Sequence, residues 1–196
     1  MAVKIAITGG IGSGKSLACQ HLQALNYPVF SCDEIYKEII ISPIYVQKIQ
    51  EIFPDCIQNG QIDRKLLANI VFNNEEKRKQ LNAIAHPLIM QTLFEKMSKA
   101  QNNIVFVEVP LLFEGNHEKE FDKVIVVTRD QALRINSIIS RDGITAEEAK
   151  ARMQAQFDYS KLEGNSLENI FILKNDSAPA ALKKQIEELL ELLQKE

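Results

Sequence analysis

Cysteine is scarce in this sequence: only Cys19, Cys32 and Cys56 occur among its 196 residues, and no two of them form a C-x-x-C pair. This odd number at these spacings argues against a disulfide framework and against a structural zinc site. No stretch approaches the roughly 18 consecutive apolar residues that a membrane-spanning helix needs. The first residues also lack the basic-then-apolar pattern of a signal peptide. We therefore expect reduced thiols, a cytoplasmic protein and no membrane partner.

An excess of one charge is also absent, since 23 Lys and Arg residues stand against 26 Asp and Glu residues, for a net charge of −3. A chain with this balance has no general attraction for nucleic acid, so we expect no nucleic-acid partner. Any phosphate that it binds must be held by local geometry. Its length suits one domain with modest insertions, and we expect a monomer or a weak homo-oligomer.

The most informative stretch is a glycine-rich segment near the N-terminus that fits the pattern G-x-x-x-x-G-K-[ST] from Gly9 to Ser16. Residues 3–7 before it predict a buried strand, and apolar spacing predicts a helix from Lys15 to about Leu25. Such a loop binds phosphate through backbone N–H groups and the positive end of the helix dipole. We predict that Lys15 contacts the β- and γ-phosphates of a nucleotide and that Ser16 ligates Mg²⁺. The predicted nucleotide-binding residues of the loop are Gly10, Ile11, Gly12, Ser13, Gly14, Lys15 and Ser16.

Strands and helices alternate along the rest of the chain. Further strands are predicted at 29–30, 104–109, 123–127 and 170–173, which with the first strand predicts an α/β fold with a mostly parallel five-stranded sheet. A capping box at Thr145 and Glu148 predicts a helix that extends to about Phe157.

Residues 42–101 contain no convincing strand and are predicted to form a helical insertion. Within it, Asn59-Gly60 predicts a turn, and Asp63 and Asn74 are predicted helix caps. His86-Pro87 predicts the end of a helix, because proline disfavours helical geometry in the residue before it.

Asp33 has two alternative roles. It follows the predicted strand 29–30, and open α/β sheets bind their ligands at that carboxyl edge. It could equally be the N-cap of a helix predicted over residues 34–41. The residue pattern leaves both alternatives open.

Motifs outside the glycine loop distinguish the classes of nucleotide-binding protein. It lacks the guanine-reading motif N-K-x-D and a D-x-x-G motif, which argues against a switch GTPase. An ATP-driven machine usually has a strand ending in Asp, whereas the candidate strand here ends near Glu108. A small-molecule kinase needs an acceptor carboxylate, an acceptor pocket and a cationic lid, for which Asp33, residues 42–101 and Arg141 are candidates. A kinase for a nucleoside or a nucleoside monophosphate, and a regulatory protein without turnover, remain as alternatives.

Several motifs, between Lys4 and Gln156, resemble those of the dephospho-CoA kinase family. They are Thr8 with the glycine loop, Cys32-Asp33, Ile62-Asp63-Arg64 followed by Leu67, Leu81-Asn82 with Ile84, His86-Pro87, Val109-Pro110-Leu111-Leu112-Phe113-Glu114 and Ser140-Arg141-Asp142-Gly143. The resemblance implies transfer of the γ-phosphoryl group of ATP to the ribose 3′-hydroxyl of dephospho-CoA, giving CoA and ADP. It also implies a P-loop kinase fold with a helical acceptor-binding insertion and a lid.

The resemblance further implies roles for segments and residues of a single domain, 1–196. The expected core is about 1–41, 102–134 and 158–196, the insertion about 42–101, and the lid about 135–157. The expected catalytic residues are Asp33, Lys15 and Arg141. The expected substrate-binding residues are Thr8, Asp33, Arg64, His86, Leu111 and Glu114. Asn175 is expected near the adenine, while Arg64 could instead pair with Glu75 or Glu76.

Three positions depart from the family pattern, the last being Lys161, which is one residue closer to Gln156 than expected. Ser31 stands where many members have an aspartate, so it can supply only a hydrogen bond. Ser137 stands where members often carry a lid arginine, although Arg134 lies one turn earlier. We therefore expect the lid charge to be rearranged or reduced.

Overall fold

The computed structural model describes residues 2–72, 74–162 and 169–195. The chain divides into two compact units: a core unit of Met1–Phe30 with Ala100–Glu196, and a helical unit of Ser31–Lys99. The expected boundary at residue 42 and the expected lid at 135–157 stay predictions. Residues 163–168, part of the expected core segment, lie outside the described residues. No helix within the described ranges is both long and apolar enough to cross a bilayer.

The core unit is built on a five-stranded sheet. The strands of the chain are β1 (Val3–Thr8), β2 (Val29–Ser31), β3 (Ile57–Gln58), β4 (Gln61–Ile62), β5 (Ile104–Glu108), β6 (Lys123–Thr128) and β7 (Ile170–Lys174). The sheet has the order β2-β5-β1-β6-β7, with β1 parallel to both β5 and β6, and β7 parallel to β6. The predicted α/β fold with a mostly parallel five-stranded sheet is therefore confirmed. The middle residues of β1, β5 and β6 are apolar and buried, as expected for a parallel sheet.

Eight α-helices lie in the described part of the chain. They are α1 (Lys15–Ala24), α2 (Cys32–Ile39), α3 (Pro43–Ile52), α4 (Arg64–Phe72), α5 (Glu75–Ser98), α6 (Gln131–Asp142), α7 (Ala146–Gln154) and α8 (Pro179–Leu193). Helices α1 and α8 pack against the sheet, and their buried apolar residues form one cluster with those of the central strands. Cys19 belongs to this cluster, and burial raises the pKa of its thiol to about 12, so it packs as a small apolar group. The capping box at Thr145 and Glu148 is confirmed at the start of α7.

The helical unit confirms the predicted caps and turn. The Asp63 carboxylate accepts hydrogen bonds from the N–H groups of Lys65 and Leu66, both 3.0 Å long, and Asn74 caps α5. Asn59 and Gly60 have φ values of 52° and 76° and form the turn of a hairpin between β3 and β4. The prediction that residues 42–101 contain no strand was therefore wrong. An Asn-Gly pair with two left-handed residues is the turn that favours such a hairpin.

The prediction that a helix ends at His86-Pro87 was also wrong. Helix α5 runs without interruption from Glu75 to Ser98, with Pro87 inside it. Pro87 lacks an N–H group and removes one helical hydrogen bond. The buried residue Ala85 lies before it and Met90, Leu93 and Met97 lie after it. Packing of the helix on both sides of Pro87 therefore overrides the local preference for a break.

Candidate active site

The glycine loop connects β1 to α1 in a conformation that requires its glycines. Gly9 and Gly14 have φ values of 144° and 98°, which side-chain-bearing residues rarely adopt. A Cβ atom at Gly9 would overlap the carbonyl oxygen of Val127, and one at Gly14 would overlap the amide of Asn175. Both the backbone conformation and the available space therefore restrict these two positions to glycine.

Helix α1 begins at the end of this loop and presents its N-terminus to it. Gly14 is the N-cap, and its carbonyl accepts hydrogen bonds from the N–H groups of Leu17 and Ala18. Within the described chain, no side chain caps this helix and no acidic residue lies in its first turn. The partial positive charge of the helix N-terminus is thus available to an anion.

Lys15 extends back across the loop. Its Nζ atom donates hydrogen bonds to the carbonyl oxygens of Gly9, at 2.7 Å, and Gly10, at 3.2 Å. Burial lowers the pKa of Lys15, while the nearby Glu108 carboxylate acts in the opposite direction. A poorly hydrated ammonium held by neutral carbonyl oxygens is well prepared to bind a phosphate oxygen.

Glu108 lies next to Ser16 and was missed by the sequence analysis as a site residue. It is the last residue of β5 and pairs with Ile7 of β1. The Ser16 hydroxyl donates a hydrogen bond to Oε1 of Glu108 at 3.3 Å. A hydroxyl and a carboxylate are oxygen donors of the kind that Mg²⁺ prefers, so the two side chains fit this ion. The signal that could have revealed Glu108 was a carboxylate at the end of a buried strand.

Two side chains that follow β6 in the sequence bind the backbone of Ile11 in the loop. Nε of Arg134, on α6, donates to the Ile11 carbonyl at 2.9 Å. The Ile11 N–H donates to Oε1 of Gln156, which follows α7, at 2.6 Å. The same loop residue is thus held by side chains from both ends of the α6–α7 segment. Neither Arg134 nor Gln156 was predicted to be a site residue.

Asn175 also contacts the loop. It follows β7, its backbone N–H donates to the Thr128 carbonyl, and its side-chain amide donates to the Ser13 carbonyl, both at 2.9 Å. The sequence analysis expected Asn175 in the nucleotide site, and its proximity to adenine stays a prediction.

Arg141 lies in the last turn of α6. Its guanidinium donates to both carboxylate oxygens of Asp142, at 2.6 and 3.0 Å, which raises the pKa of Arg141. Arg152 donates to the same carboxylate at 2.7 Å. The positive charge of Arg141 slightly lowers the pKa of Lys15. Arg141 is therefore an exposed cation close enough to influence the loop.

Two of the expected substrate residues of the core unit, Thr8 and Glu114, contact a short segment after α7. The Thr8 hydroxyl is 3.2 Å from the Tyr159 hydroxyl, and Oε1 of Glu114 accepts a hydrogen bond from the Phe157 N–H at 2.8 Å. Burial raises the pKa of Tyr159, so its hydroxyl is protonated. Leu111 is 52% exposed, so its side chain is accessible to a ligand.

Asp33 lies in the helical unit, exposed in the first turn of α2. The N-cap of this helix is Ser31, whose hydroxyl accepts a hydrogen bond from the Glu34 N–H at 3.4 Å. The alternative that Asp33 is the cap was therefore wrong. A negative charge here still interacts favourably with the helix dipole.

Arg64 and His86 also belong to the helical unit. Arg64 lines a cavity of about 210 Å³. The other lining residues are Tyr36, Ile40, Tyr45, Ile62, Leu67, Ala68, Val71 and Leu81. Glu75 pairs with Lys79 at 3.0 Å, and no carboxylate in the described ranges pairs with Arg64. His86 lies half-buried in the middle of α5.

The sheet order, the phosphate loop and the helical unit together define the class of protein. The shikimate kinase from Bacteroides thetaiotaomicron has a similar structure, with a TM-score of 0.53 at 17% identity over 98% of both chains. This similarity extends to the fold alone. The chain is an α/β protein with the P-loop kinase fold.

The sequence comparisons define the family. The profile described as CoaE, dephospho-CoA kinase, matches residues 3–180. The dephospho-CoA kinase of Geobacillus kaustophilus is 39% identical over 163 residues, which cover 80% of this chain and 81% of that protein. The structure of the dephospho-CoA kinase from Campylobacter jejuni has a TM-score of 0.72 and 30% identity, covering 100% of this chain and 98% of that one. The chain belongs to the dephospho-CoA kinase family.

Proposed function

We propose that this protein transfers the γ-phosphoryl group of ATP to the ribose 3′-hydroxyl of dephospho-CoA, forming CoA and ADP. The proposal rests on one observation: in this member of the family, the glycine loop holds the partly desolvated ammonium group of Lys15. The transition state of phosphoryl transfer is loose, so positioning and charge stabilisation supply most of the catalysis.

The phosphates of ATP are assigned to the loop. The N–H groups of the loop, the N-terminus of α1 and Lys15 provide donors for the β- and γ-phosphate oxygens. Ser16 and Glu108 would hold Mg²⁺, directly or through its water molecules. When bound, Mg²⁺ neutralises charge that develops on the phosphate oxygens.

We assign the activation of the acceptor hydroxyl to Asp33. The Asp33 carboxylate orients the 3′-hydroxyl and accepts its proton as the oxygen forms a bond to the γ-phosphorus. The bond from that phosphorus to the bridging oxygen breaks, and ADP leaves with the electron pair. Arg141 would exchange its bond to Asp142 for a phosphoryl oxygen in the transition state.

The remaining substrate assignments concern the body of dephospho-CoA. The Arg64 guanidinium, which pairs with no carboxylate among the described residues, lies at a largely apolar cavity, a combination that suits a phosphate attached to an organic group. His86 is proposed to shape the acceptor site. Thr8, Leu111 and Glu114 are proposed to contact the acceptor from the core unit.

The cellular setting is also part of the proposal. We place the protein in the cytoplasm, as a monomer or weak homo-oligomer that binds neither nucleic acid nor membrane. The odd number of cysteines and the net charge of −3 support this assignment.

The proposal is tested by measuring ADP formation from ATP and Mg²⁺ with different acceptors. We expect strong stimulation by dephospho-CoA, with CoA formed in equal amount, and little stimulation by nucleosides or nucleoside monophosphates. Stimulation by a monophosphate instead would contradict the acceptor assignment and identify a nucleotide kinase. Slow hydrolysis that no acceptor stimulates would indicate a regulatory nucleotide-binding protein.

A further inference from the structure

Arg134 lies on α6 next to Gly10 and Gly12 of the glycine loop. The carbonyl oxygen of Arg134 would be 2.8 Å from a Cβ atom at Gly12, and its guanidinium would overlap one at Gly10. The absence of side chains at two loop glycines therefore lets the backbone and the guanidinium of Arg134 approach the loop closely.

The guanidinium of Arg134 is held in place by one hydrogen bond, which occupies only one of its N–H groups. Its Nε donates to the Ile11 carbonyl at 2.9 Å, which leaves the N–H groups of its two terminal nitrogens without a protein acceptor in the described chain. No carboxylate among the described residues pairs with it. Burial lowers the pKa of this half-buried arginine, and its charge lowers the pKa of Lys15 more than the charge of Arg141 does. Arg134 is thus a partly dehydrated cation next to a phosphate-binding loop, and an anion bound there would compensate for its lost hydration.

Helix α6 has a serine at residue 137, where the family pattern often has an arginine, but it carries Arg134 one turn earlier. Ser137 is occupied, because its hydroxyl accepts a hydrogen bond from Arg129 at 2.9 Å. Arg134 and Arg141 are seven residues apart, about two helical turns, and so project from the same face of α6. The helix thus carries two cations on one face, one anchored at the loop and one near its C-terminus.

We propose that Arg134 is a nucleotide-binding residue whose terminal N–H groups bind an oxygen of the ATP triphosphate, while its Nε remains bound to Ile11. The hydrogen bond from the Ile11 N–H to Gln156 holds the same residue through its preceding peptide and keeps this anchor in position. The proposal deepens the proposed function, because it rests on ATP being the nucleotide but not on the identity of the acceptor.

The test measures binding of Mg²⁺–ATP by calorimetry, without any acceptor, over a range of salt concentrations. We expect Arg134→Gln to weaken ATP binding by about tenfold to a hundredfold, as expected for loss of a charged hydrogen bond. The salt dependence of ATP affinity should also become weaker, since one cation that contacts the anion is lost. Lys184→Gln is the matched control, because it removes an exposed lysine of α8 whose partner is Glu188.

A second variant separates charge from anchoring. In the Arg134→Gln background, Ser137→Arg restores a cation one turn further along α6 without restoring the bond to Ile11. We expect it to recover the salt dependence and only part of the ATP affinity, because the cation returns but is not held at the loop. Arg134→Gln binding ATP normally, or losing affinity with unchanged salt dependence, would contradict the proposal, and a double variant with full ATP affinity would contradict the role of the anchor. None of these results depends on dephospho-CoA, so they are distinct from failure of the proposed function.

Discussion

The phosphate loop and the helical unit are held in different ways. Side chains of Lys15, Arg134, Asn175 and Gln156 bind the backbone of the loop directly. In the helical unit, α5 instead packs through buried apolar side chains against α2, α3 and α4. The ion pairs Lys79–Glu75 and Lys96–Glu38 lie on its surface, where such pairs contribute little.

This difference indicates which changes each region tolerates. A loop whose backbone atoms are themselves the binding groups cannot shift without losing its hydrogen bonds. A packed group of helices accepts local backbone irregularities, such as Pro87 inside α5, as long as its buried side chains stay in contact. We also assign different chemistry to the two regions, nucleotide binding to the loop and acceptor activation to the helical unit.

The largest effect is expected for Asp33→Asn in the helical unit. This change should lower the turnover number by about 10²–10⁴-fold, the range for a positioned proton acceptor. ATP affinity should stay nearly unchanged, because the proposed nucleotide contacts lie in the loop. Steady-state kinetics with dephospho-CoA and calorimetry with ATP measure the two effects, with Glu34→Gln as the neighbouring control. Near-normal turnover would remove Asp33 from the mechanism.

Lys15→Ala is expected to have the next largest effect and, unlike Asp33→Asn, to affect two quantities. Turnover should fall by about 10²–10³-fold, because a preorganised donor to the transferring phosphoryl group is lost. ATP affinity should fall as well, because the ammonium also binds the ground-state phosphates. The same kinetic and calorimetric measurements apply, with Lys184→Ala as a control on an exposed lysine of α8. Normal ATP binding by Lys15→Ala would contradict the assignment of the loop as the nucleotide site.

Local sequence patterns were sufficient for much of the fold and part of the site. The glycine loop, the five strands of the sheet, the caps at Asp63 and Asn74 and the turn at Asn59 each depend on residues close together in sequence. Pro87 was misjudged because packing on both sides of it outweighs a local preference. The partners of Ile11 were missed because they are 123 and 145 residues away in sequence. No local period or spacing carries such information.

Gly14→Ala tests the backbone constraint of the loop. We expect it to lower the free energy of unfolding by about 2–4 kcal/mol, because alanine is strained at a φ of 98° and its Cβ overlaps the Asn175 amide. Chemical denaturation measures this loss, and Gly60→Ala is the control, since an added Cβ there meets nothing within 4 Å at a φ of 76°. The strain is common to both variants, so an equal loss would show that packing against Asn175 has no part in the constraint.

Pro87→Ala tests the tolerance of the helical unit and is expected to have the smallest effect. Alanine supplies the N–H group that proline lacks and removes its ring from the helix, so the free energy of unfolding should rise by about 1 kcal/mol. This gain is smaller than the intrinsic difference between the two residues, because α5 is already continuous around Pro87. Chemical denaturation measures it, with Gln80→Ala as an exposed control on the same helix. A loss of stability would mean that Pro87 fixes a backbone shape that the packing of α5 requires, and the helical unit would then be constrained through its backbone as the loop is.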